Sequence, residues 1–151
     1  MPPAQLEFAI GEGKTPGSLT TAFVLRHLEP LSAEDQQMLI TFAQIHDIDM
    51  WLQPAGLDSA HPLHPADSHL CYRLPEFDIE MPFKPTDFTQ VNHQVNRVLV
   101  SKAIQLLAPQ SSDRVLDLFC GIGNFTLPLA RAGARVVGIE GSQVAVIMGQ
   151  H

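Results

Sequence analysis

Two acidic residues and two glycines form the most informative pattern in this chain of 151 residues. Asp117 ends one short apolar stretch, Gly121 and Gly123 follow it, and Glu140 ends a second, similar stretch. Closely spaced glycines let a ligand approach the backbone, and a helix that follows them presents free N–H groups. Strand, glycine turn, helix and strand in this order are typical of a nucleotide-binding loop. The pattern therefore predicts a site for a nucleotide-like ligand.

The residue types around the glycines favour S-adenosylmethionine over a dinucleotide. The dinucleotide fingerprint requires a third glycine where this chain has Thr126. A carboxylate at Asp117 suits a ligand with a cationic amino-acid moiety, and it would repel a pyrophosphate. An acid at the tip of the second strand, such as Glu140, typically receives ribose hydroxyls. The alternative is the phosphate loop of another α/β protein, in which both acids lie on the surface by chance.

The elements that must position this loop follow from apolar periodicity. We expect a helix over Asn92–Leu107, then a strand over 114–118, a helix over 124–132 and a strand over 135–139, with a further helix beginning at Ser142. Both strands are short and rich in Val and Leu, which is typical of buried parallel strands. The predicted apolar face of the first helix consists of Val95, Val98, Leu99, Ala103 and Leu106.

The first half of the chain predicts strands around one helix. Residues 5–30 contain two strand candidates, and Ser32 followed by Asp35 is typical of a helix N-terminus. That helix should run to about His46. Its predicted packing face consists of Leu39, Phe42, Ala43 and Ile45.

The stretch after this helix is predicted to be less regular. Residues 49–53 read as a short strand, the proline-rich stretch 57–69 as an exposed loop, and 70–81 as two short strands joined by a turn. The character of the sequence changes near 82–90. We place a domain boundary there.

Composition argues against several classes of protein. The net charge of −7 does not favour generic phosphate-backbone binding by this chain alone. No apolar stretch or leader pattern indicates a membrane span or secretion, so cytoplasm is the expected location. Cys71 and Cys120 lie far apart in the sequence, which favours neither a disulfide framework nor a thiolate metal site. His61, His64 and His69 are interpreted as part of a solvated loop rather than as metal ligands.

Three longer runs carry a resemblance to a known family. They are DFTQVN at 87–92, DLFCGIGNFTLPL at 117–129 and VVGIEG at 136–141. Together they closely resemble the RNA uracil-C5 methyltransferases. Leu25–Ser32 and Leu52–Pro54 are similar to the central domain of the bacterial 23S rRNA branch of that family.

The resemblance implies that Gln90, Phe119, Asn124 and Glu140 contact S-adenosylmethionine. Phe119 would offer an apolar surface, and Gln90 and Asn124 would offer amide groups. The general methyltransferase loop has glycine at the position of Phe119, whereas phenylalanine is expected in this family. The full predicted cofactor site consists of Gln90, Asp117, Phe119, Gly121, Gly123, Asn124 and Glu140.

The resemblance also implies a fold class and a function. The fold class is α/β, with part of an α+β central domain over residues 1–85 and the start of a Rossmann-like class I methyltransferase domain over 86–151. The function is that of part of an S-adenosylmethionine-dependent 23S rRNA uracil-C5 methyltransferase, which forms 5-methyluridine and has 23S rRNA as its partner. Two alternatives stay open, a tRNA uracil-C5 methyltransferase and a non-catalytic RNA-associated module on the same scaffold.

The chemistry of the family needs groups that this sequence does not contain. Uracil C5 is a poor nucleophile, so these enzymes are understood to add a cysteine thiolate at C6 and to remove the C5 proton with a base. The Ser-Cys-Asn-Pro segment that carries the thiolate is absent, as are the cysteines of the [4Fe–4S] cluster expected in full-length members. We therefore expect an internal fragment of a longer enzyme, with no catalytic residue and no metal ligand. An unpaired edge along 114–118 would favour self-association of the chain.

These residues alone are predicted to transfer no methyl group to unmodified 23S rRNA, because the nucleophile segment is missing. Cys120 lies in the loop predicted to hold the methyl donor, so it is not expected to act in place of that segment. A radiolabelled methyl-transfer assay tests this prediction. Turnover that Cys120→Ser abolishes would contradict it.

Overall fold

The structure is a computed structural model that describes residues 5–90 and 92–141. The helix predicted to begin at Ser142 lies outside the described residues. The strands are β1 (Gln5–Glu12), β2 (Leu19–Arg26), β3 (Asp49–Gln53), β4 (His61–His64), β5 (Leu70–Leu74), β6 (Ile79–Phe83), β7 (Arg114–Leu118) and β8 (Arg135–Ile139). The helices are α1 (Ala33–His46), α2 (His93–Leu107) and α3 (Thr126–Arg131).

The described residues form two compact units. The first unit contains the described residues from Gln5 to Cys71 together with Phe83–Asp87, and the second contains Tyr72–Pro82 and the described residues from Phe88 onward. The domain boundary near 82–90 stays a prediction.

In the first unit, four strands lie side by side in the order β4-β3-β2-β1. β1 and β2 form an antiparallel hairpin, whereas β2 and β3 run parallel. Parallel neighbours need a crossover connection, and α1 supplies it before packing against β3 and β4. The strands predicted within 5–30 and over 49–53 are confirmed.

The prediction of an exposed loop over 57–69 is wrong in part. Leu57–Ser59 forms a single 3-10 turn, and β4 then pairs antiparallel with β3. Prolines suggested a loop because they cannot donate to a strand ladder. However, β4 is the last strand in its row, and an edge strand tolerates a proline such as Pro62.

The N-terminus of α1 has the reciprocal hydrogen bonds expected from its sequence. The Asp35 backbone N–H donates to Ser32 Oγ at 3.1 Å, and the Ser32 N–H donates to Asp35 Oδ2 at 3.0 Å. The Ser32 hydroxyl also donates to the carboxylate, and these bonds hold the pKa of Asp35 below its ordinary value. The predicted start and end of this helix are confirmed.

In the second unit, β7 and β8 run parallel with Arg114 opposite Arg135 and Leu118 opposite Ile139. α3 lies against β8 and contacts α2. β5 and β6 are neighbours, joined by the 3-10 turn Pro75–Phe77. The strand and helix order predicted for this part is confirmed. Among the described residues, no helix is both long and apolar enough to cross a bilayer.

The predicted packing faces of the two long helices are wrong in part. In α2 the buried residues are Asn96, Val100 and Ile104. The amide of Asn96 is hydrogen-bonded to Asn124 within the unit, so the side of the helix that carries Asn96 is the buried one. In α1 Ala43 is buried as predicted, but Ile45 is exposed. Most of the predicted α2 face is exposed, namely Val95, Val98, Leu99 and Leu106.

The expectation that β7 and β8 are buried is also wrong for the described residues. Leu116 is 57% exposed and Val137 is 59% exposed. Side chains alternate between the two faces of a strand, and Val115 and Asp117 on the other face of β7 are half-buried. One face of this strand pair is therefore partly covered and the other is open.

Removing the cap of α1 should destabilise the first unit. We expect Ser32→Ala to lower the free energy of unfolding by about 1 kcal/mol, because the N–H of Asp35 loses its acceptor. Gln44→Ala, a polar truncation on the exposed side of the same helix, should change it by less than about 0.5 kcal/mol. Chemical denaturation measures both, and equal effects would contradict the role of the cap.

Candidate cofactor site

The loop after β7 has an unusual backbone. Phe119, Gly121 and Gly123 have φ angles of 60°, 55° and 97°, all in the left-handed region. The Gly123 N–H donates to Cys120 O at 2.9 Å and closes a tight turn. The Cys120 N–H donates to the carbonyl of Ile139 in β8 at 3.1 Å, so the loop begins as a continuation of the strand ladder.

This backbone corrects the predicted start of the following helix. The expected helix over 124–132 begins at Thr126 instead, because residues 121–125 form turns. The Leu127 N–H donates to the carbonyl of Gly123, which makes the first helix-like bond. Glycine at a positive φ suits a turn and does not extend a helix.

Phe119 is the unexpected member of this loop. Its φ of 60° is unfavourable for a residue with a side chain, and its ring is 88% exposed. A glycine would adopt the same backbone without strain, which explains why the general methyltransferase loop has glycine here. Backbone strain of this kind clusters at ligand and active sites.

Asp117 and Thr126 are joined across the loop. The Thr126 hydroxyl donates to Asp117 Oδ2 at 2.5 Å, and both side chains are half-buried. Thr126 occupies the position of the third glycine in a dinucleotide fingerprint. Its hydroxyl therefore fixes the orientation of a carboxylate where a dinucleotide site would need space.

Glu140 supports the loop from the end of β8. The Gly121 N–H donates to Glu140 Oε2 at 2.9 Å. A carboxylate can accept more than one hydrogen bond, so Glu140 is able to hold the loop and also receive a hydroxyl from a ligand.

Gly138 in β8 allows the loop to lie directly on the strand. A Cβ atom added at Gly138 would lie 2.9 Å from Cys120 Sγ and 3.1 Å from Thr126 Oγ1. Both distances are too short for ordinary packing, so any larger residue would push the loop outward. Sequence reasoning missed this position, although a glycine within a strand is a recognised sign of close backbone approach.

Asn124 is fixed by two residues from other elements. Its Oδ1 accepts from Asn96 Nδ2 at 2.8 Å and from the Tyr72 hydroxyl at 3.1 Å. Its own Nδ2 donates to Asn96 Oδ1 at 2.9 Å. These hydrogen bonds join α2 and β5 to the loop after β7, and nothing in the sequence pattern indicated them.

These groups surround one cavity of about 150 Å³. Of the predicted site residues, Gln90, Asp117, Phe119, Gly121 and Asn124 line it. Gly123 instead closes the turn through its backbone N–H, and Glu140 accepts a hydrogen bond from Gly121, which lines the cavity. The lining residues that sequence reasoning did not assign to the site are Tyr72, Phe88, Thr89, Cys120, Ile122 and Phe125.

The arrangement suits part of a nucleoside ligand with a charged tail. Exposed rings of Phe88 and Phe119 offer apolar surface, and Asp117 offers a negative charge. Pockets for complete ligands usually measure ~300–1,000 Å³. The described residues therefore enclose only part of such a molecule.

The parallel strands, the glycine loop between them and the acid at the tip of the second strand define a Rossmann-like nucleotide-binding unit of the methyltransferase type. The sequence profile of the tRNA (uracil-5-)-methyltransferase family matches residues 67–151, more than half of the chain. The chain therefore belongs to this family. The resemblance stated from its motifs is confirmed.

Curated relatives are similar over nearly the whole chain. The 23S rRNA (uracil(1939)-C(5))-methyltransferase RlmD of Paraburkholderia xenovorans is 61% identical over 93% of this chain. RlmD of Polynucleobacter necessarius is 58% identical over 91% of it. The chain spans only 28% and 30% of the length of these two relatives.

A solved structure has the same fold. The tRNA (uracil-54, C5)-methyltransferase of Pyrococcus abyssi, in complex with S-adenosyl-L-homocysteine, is similar with a TM-score of 0.64. The match covers 93% of this chain and 34% of that one, at 20% sequence identity. The predicted α/β fold class is confirmed.

The strain at Phe119 can be measured by comparing two variants. Phe119→Gly should have a free energy of unfolding about 1 kcal/mol higher than Phe119→Ala, because only glycine adopts the positive φ without cost. Both variants lose the ring, so their difference isolates the backbone. Equal stability by chemical denaturation would show that the backbone at this position carries no strain.

Proposed function

We propose that the chain is part of an S-adenosylmethionine-dependent 23S rRNA uracil-C5 methyltransferase and supplies part of its methyl-donor site. The observation that carries the proposal is the loop between β7 and α3, where Asp117, Phe119 and Asn124 line one cavity and Glu140 holds its wall. The RlmD relatives supply the choice of substrate, since 61% identity extends over nearly the whole chain.

Most of the predicted site residues have a direct role in this proposal. Asp117, oriented by Thr126, faces the cationic methionine end of the ligand. Glu140 accepts from the ribose hydroxyls while it also holds Gly121. Phe119 gives apolar contact, and Gln90 and Asn124 contribute amide hydrogen bonds. S-adenosylmethionine supplies the methyl group when bound, and the residues described here bind and orient it.

The two alternatives have less support. A tRNA uracil-C5 methyltransferase shares the family profile and the fold of the Pyrococcus abyssi enzyme, but identity to that enzyme is 20% against 61% for the rRNA relative. A non-catalytic RNA-associated module would be expected to carry a basic surface, whereas this chain has 16 acidic and 9 basic residues.

The [4Fe–4S] cluster expected in full-length members does not fit the residues of this chain. Such a cluster is held by four thiolates, and the chain has two cysteines, Cys71 and Cys120. Cys71 is fully buried beside the carbonyls of Glu12 and Gly13, and Cys120 lies in the cofactor loop. No part of the proposal depends on the cluster.

The donor site can be tested at Glu140. S-adenosylhomocysteine should bind weakly to this chain, and Glu140→Ala should weaken it by about ten-fold, because the ribose and the Gly121 N–H both lose an acceptor. Glu140→Gln keeps an oxygen acceptor and should lose less. Calorimetry measures the dissociation constants. Tight binding that Glu140→Ala leaves unchanged would refute the site.

The open face of β7 and β8 supports a separate proposal, that the isolated chain self-associates. Among the described residues β7 has β8 as its one neighbour, and exposed apolar strand edges recruit other chains. The exposed large apolar residues on these strands are Leu116, Leu118, Val137 and Ile139.

Self-association should depend on this face. Light scattering is expected to show a mass above that of the monomer which rises with concentration, and Leu116→Lys should lower it. Leu19→Lys, at a leucine of β2 that is even more exposed, should leave the mass unchanged. A monomer at all concentrations would contradict the proposal.

A further inference from the structure

Asn96 is a buried polar residue in the first turn of α2. It is 2% exposed, and helix interiors of this kind are usually filled by apolar side chains such as its neighbour Val100. Burying an amide costs free energy unless its donors and acceptors are paired. Among the described residues, Asn96 pairs with Asn124 of the loop after β7, to which it donates one hydrogen bond and from which it accepts another.

Tyr72 of β5 makes a third hydrogen bond to the side-chain amide of Asn124. Its hydroxyl donates to Asn124 Oδ1, and its ring stacks on His93 with centroids 5.5 Å apart. Tyr72 is 3% exposed, and burial raises the pKa of its phenol above the ordinary value. The hydroxyl therefore remains a donor throughout the neutral range.

These bonds determine what Asn124 can still do. A side-chain amide has two acceptor lone pairs and two donor hydrogens. Both lone pairs are used by Asn96 and Tyr72, and one hydrogen is used by Asn96. Within the described residues one N–H of Asn124 remains, on a side chain that lines the cavity. The Asn124 amide cannot exchange the positions of its oxygen and nitrogen without breaking all three hydrogen bonds.

We propose that Asn96 and Tyr72 are positioning residues for the methyl-donor site, which fix the amide of Asn124 so that it presents a donor to the ligand. This inference rests on the proposed function, because it assumes that the cavity binds S-adenosylmethionine. A preorganised donor strengthens binding because the ligand does not have to order it. A buried network of hydrogen bonds also restricts a site to one arrangement over others.

Asn96→Asp separates positioning from simple packing. The two side chains have nearly the same shape, but an ionised carboxylate cannot donate to Asn124 Oδ1. When protonated, the introduced carboxyl has an O–H donor and a carbonyl acceptor, which together reproduce both bonds of the original amide. Burial should raise its pKa above the ordinary ~3.9. The positioning role therefore becomes dependent on pH in this variant.

The experiment measures S-adenosylhomocysteine binding to the 151-residue chain by calorimetry from about pH 5 to about pH 8. The dissociation constant of Asn96→Asp is divided by that of the unchanged chain at each pH, which removes the pH dependence that the two proteins share. We expect a ratio that rises from near one to about ten as the carboxyl ionises. A ratio that does not vary with pH overturns the inference.

Two further variants cover the case in which Asn96→Asp loses its fold. Tyr72→Phe removes only the hydroxyl and keeps the ring on His93, and it should weaken binding by about five-fold. Val100→Ala removes packing from the same face of α2 and should lower the melting temperature without changing the dissociation constant. Unchanged binding in Tyr72→Phe, or equal loss in Val100→Ala, contradicts a positioning role.

Different outcomes contradict the proposed methyl-donor site and the positioning role of Asn96. If the unchanged chain does not bind S-adenosylhomocysteine at all, the proposed methyl-donor site is wrong. If it binds and the ratio for Asn96→Asp stays constant, the donor site stands and the positioning role of Asn96 is wrong.

Discussion

Positive φ angles at Phe119, Gly121 and Gly123 are the constraint on which the second unit depends. A chain that leaves one parallel strand must reverse quickly to reach the helix that returns it to the next strand, and left-handed residues make that reversal possible. Gly138 has no side chain and therefore leaves room for Cys120 of the loop. Glu140 accepts a hydrogen bond from the backbone N–H of Gly121. The cavity of the candidate site is lined by residues of this loop.

The parallel pairing of β7 and β8 explains how the two acids come together in the candidate site. Asp117 and Glu140 end neighbouring parallel strands, and the carboxyl ends of such strands meet at one edge of the sheet. Thr126 and Gly121 then each hold one of the two carboxylates. Asn124 is placed by a different kind of contact, a buried amide pair with α2.

Much of this fold could be predicted from the sequence because it depends on local signals. The Ser32 cap, the β1–β2 hairpin and the order from β7 to β8 each follow from residue types within a few positions. The strand β4 could not be predicted, since its proline, Pro62, opposes a strand and the segment becomes one through pairing with β3. The buried side of α2 was missed because several of its sides are apolar, and Asn96 has its partner far along the chain.

The candidate site divides in the same way. Gly121, Gly123, Asp117 and Glu140 could be located from spacing alone, and Phe119 from resemblance to a family. Asn96 and Tyr72 carry no sequence motif, because their importance comes from three hydrogen bonds that exist only after folding. Motif residues such as Gly121 are therefore visible in the sequence, whereas a contact between distant residues such as Asn96 and Asn124 is visible only in the folded chain.

The central claim is that the loop after β7 is the methyl-donor site. Nuclear magnetic resonance of the isotope-labelled chain, titrated with S-adenosylhomocysteine, tests it most directly. The account predicts shifts at the backbone amides of Gly121 and Gly123 and at the side-chain amide of Asn124, whose three bonds make it a distinct signal. Shifts confined to residues of the first unit, or no shift in the loop at saturating ligand, would contradict it.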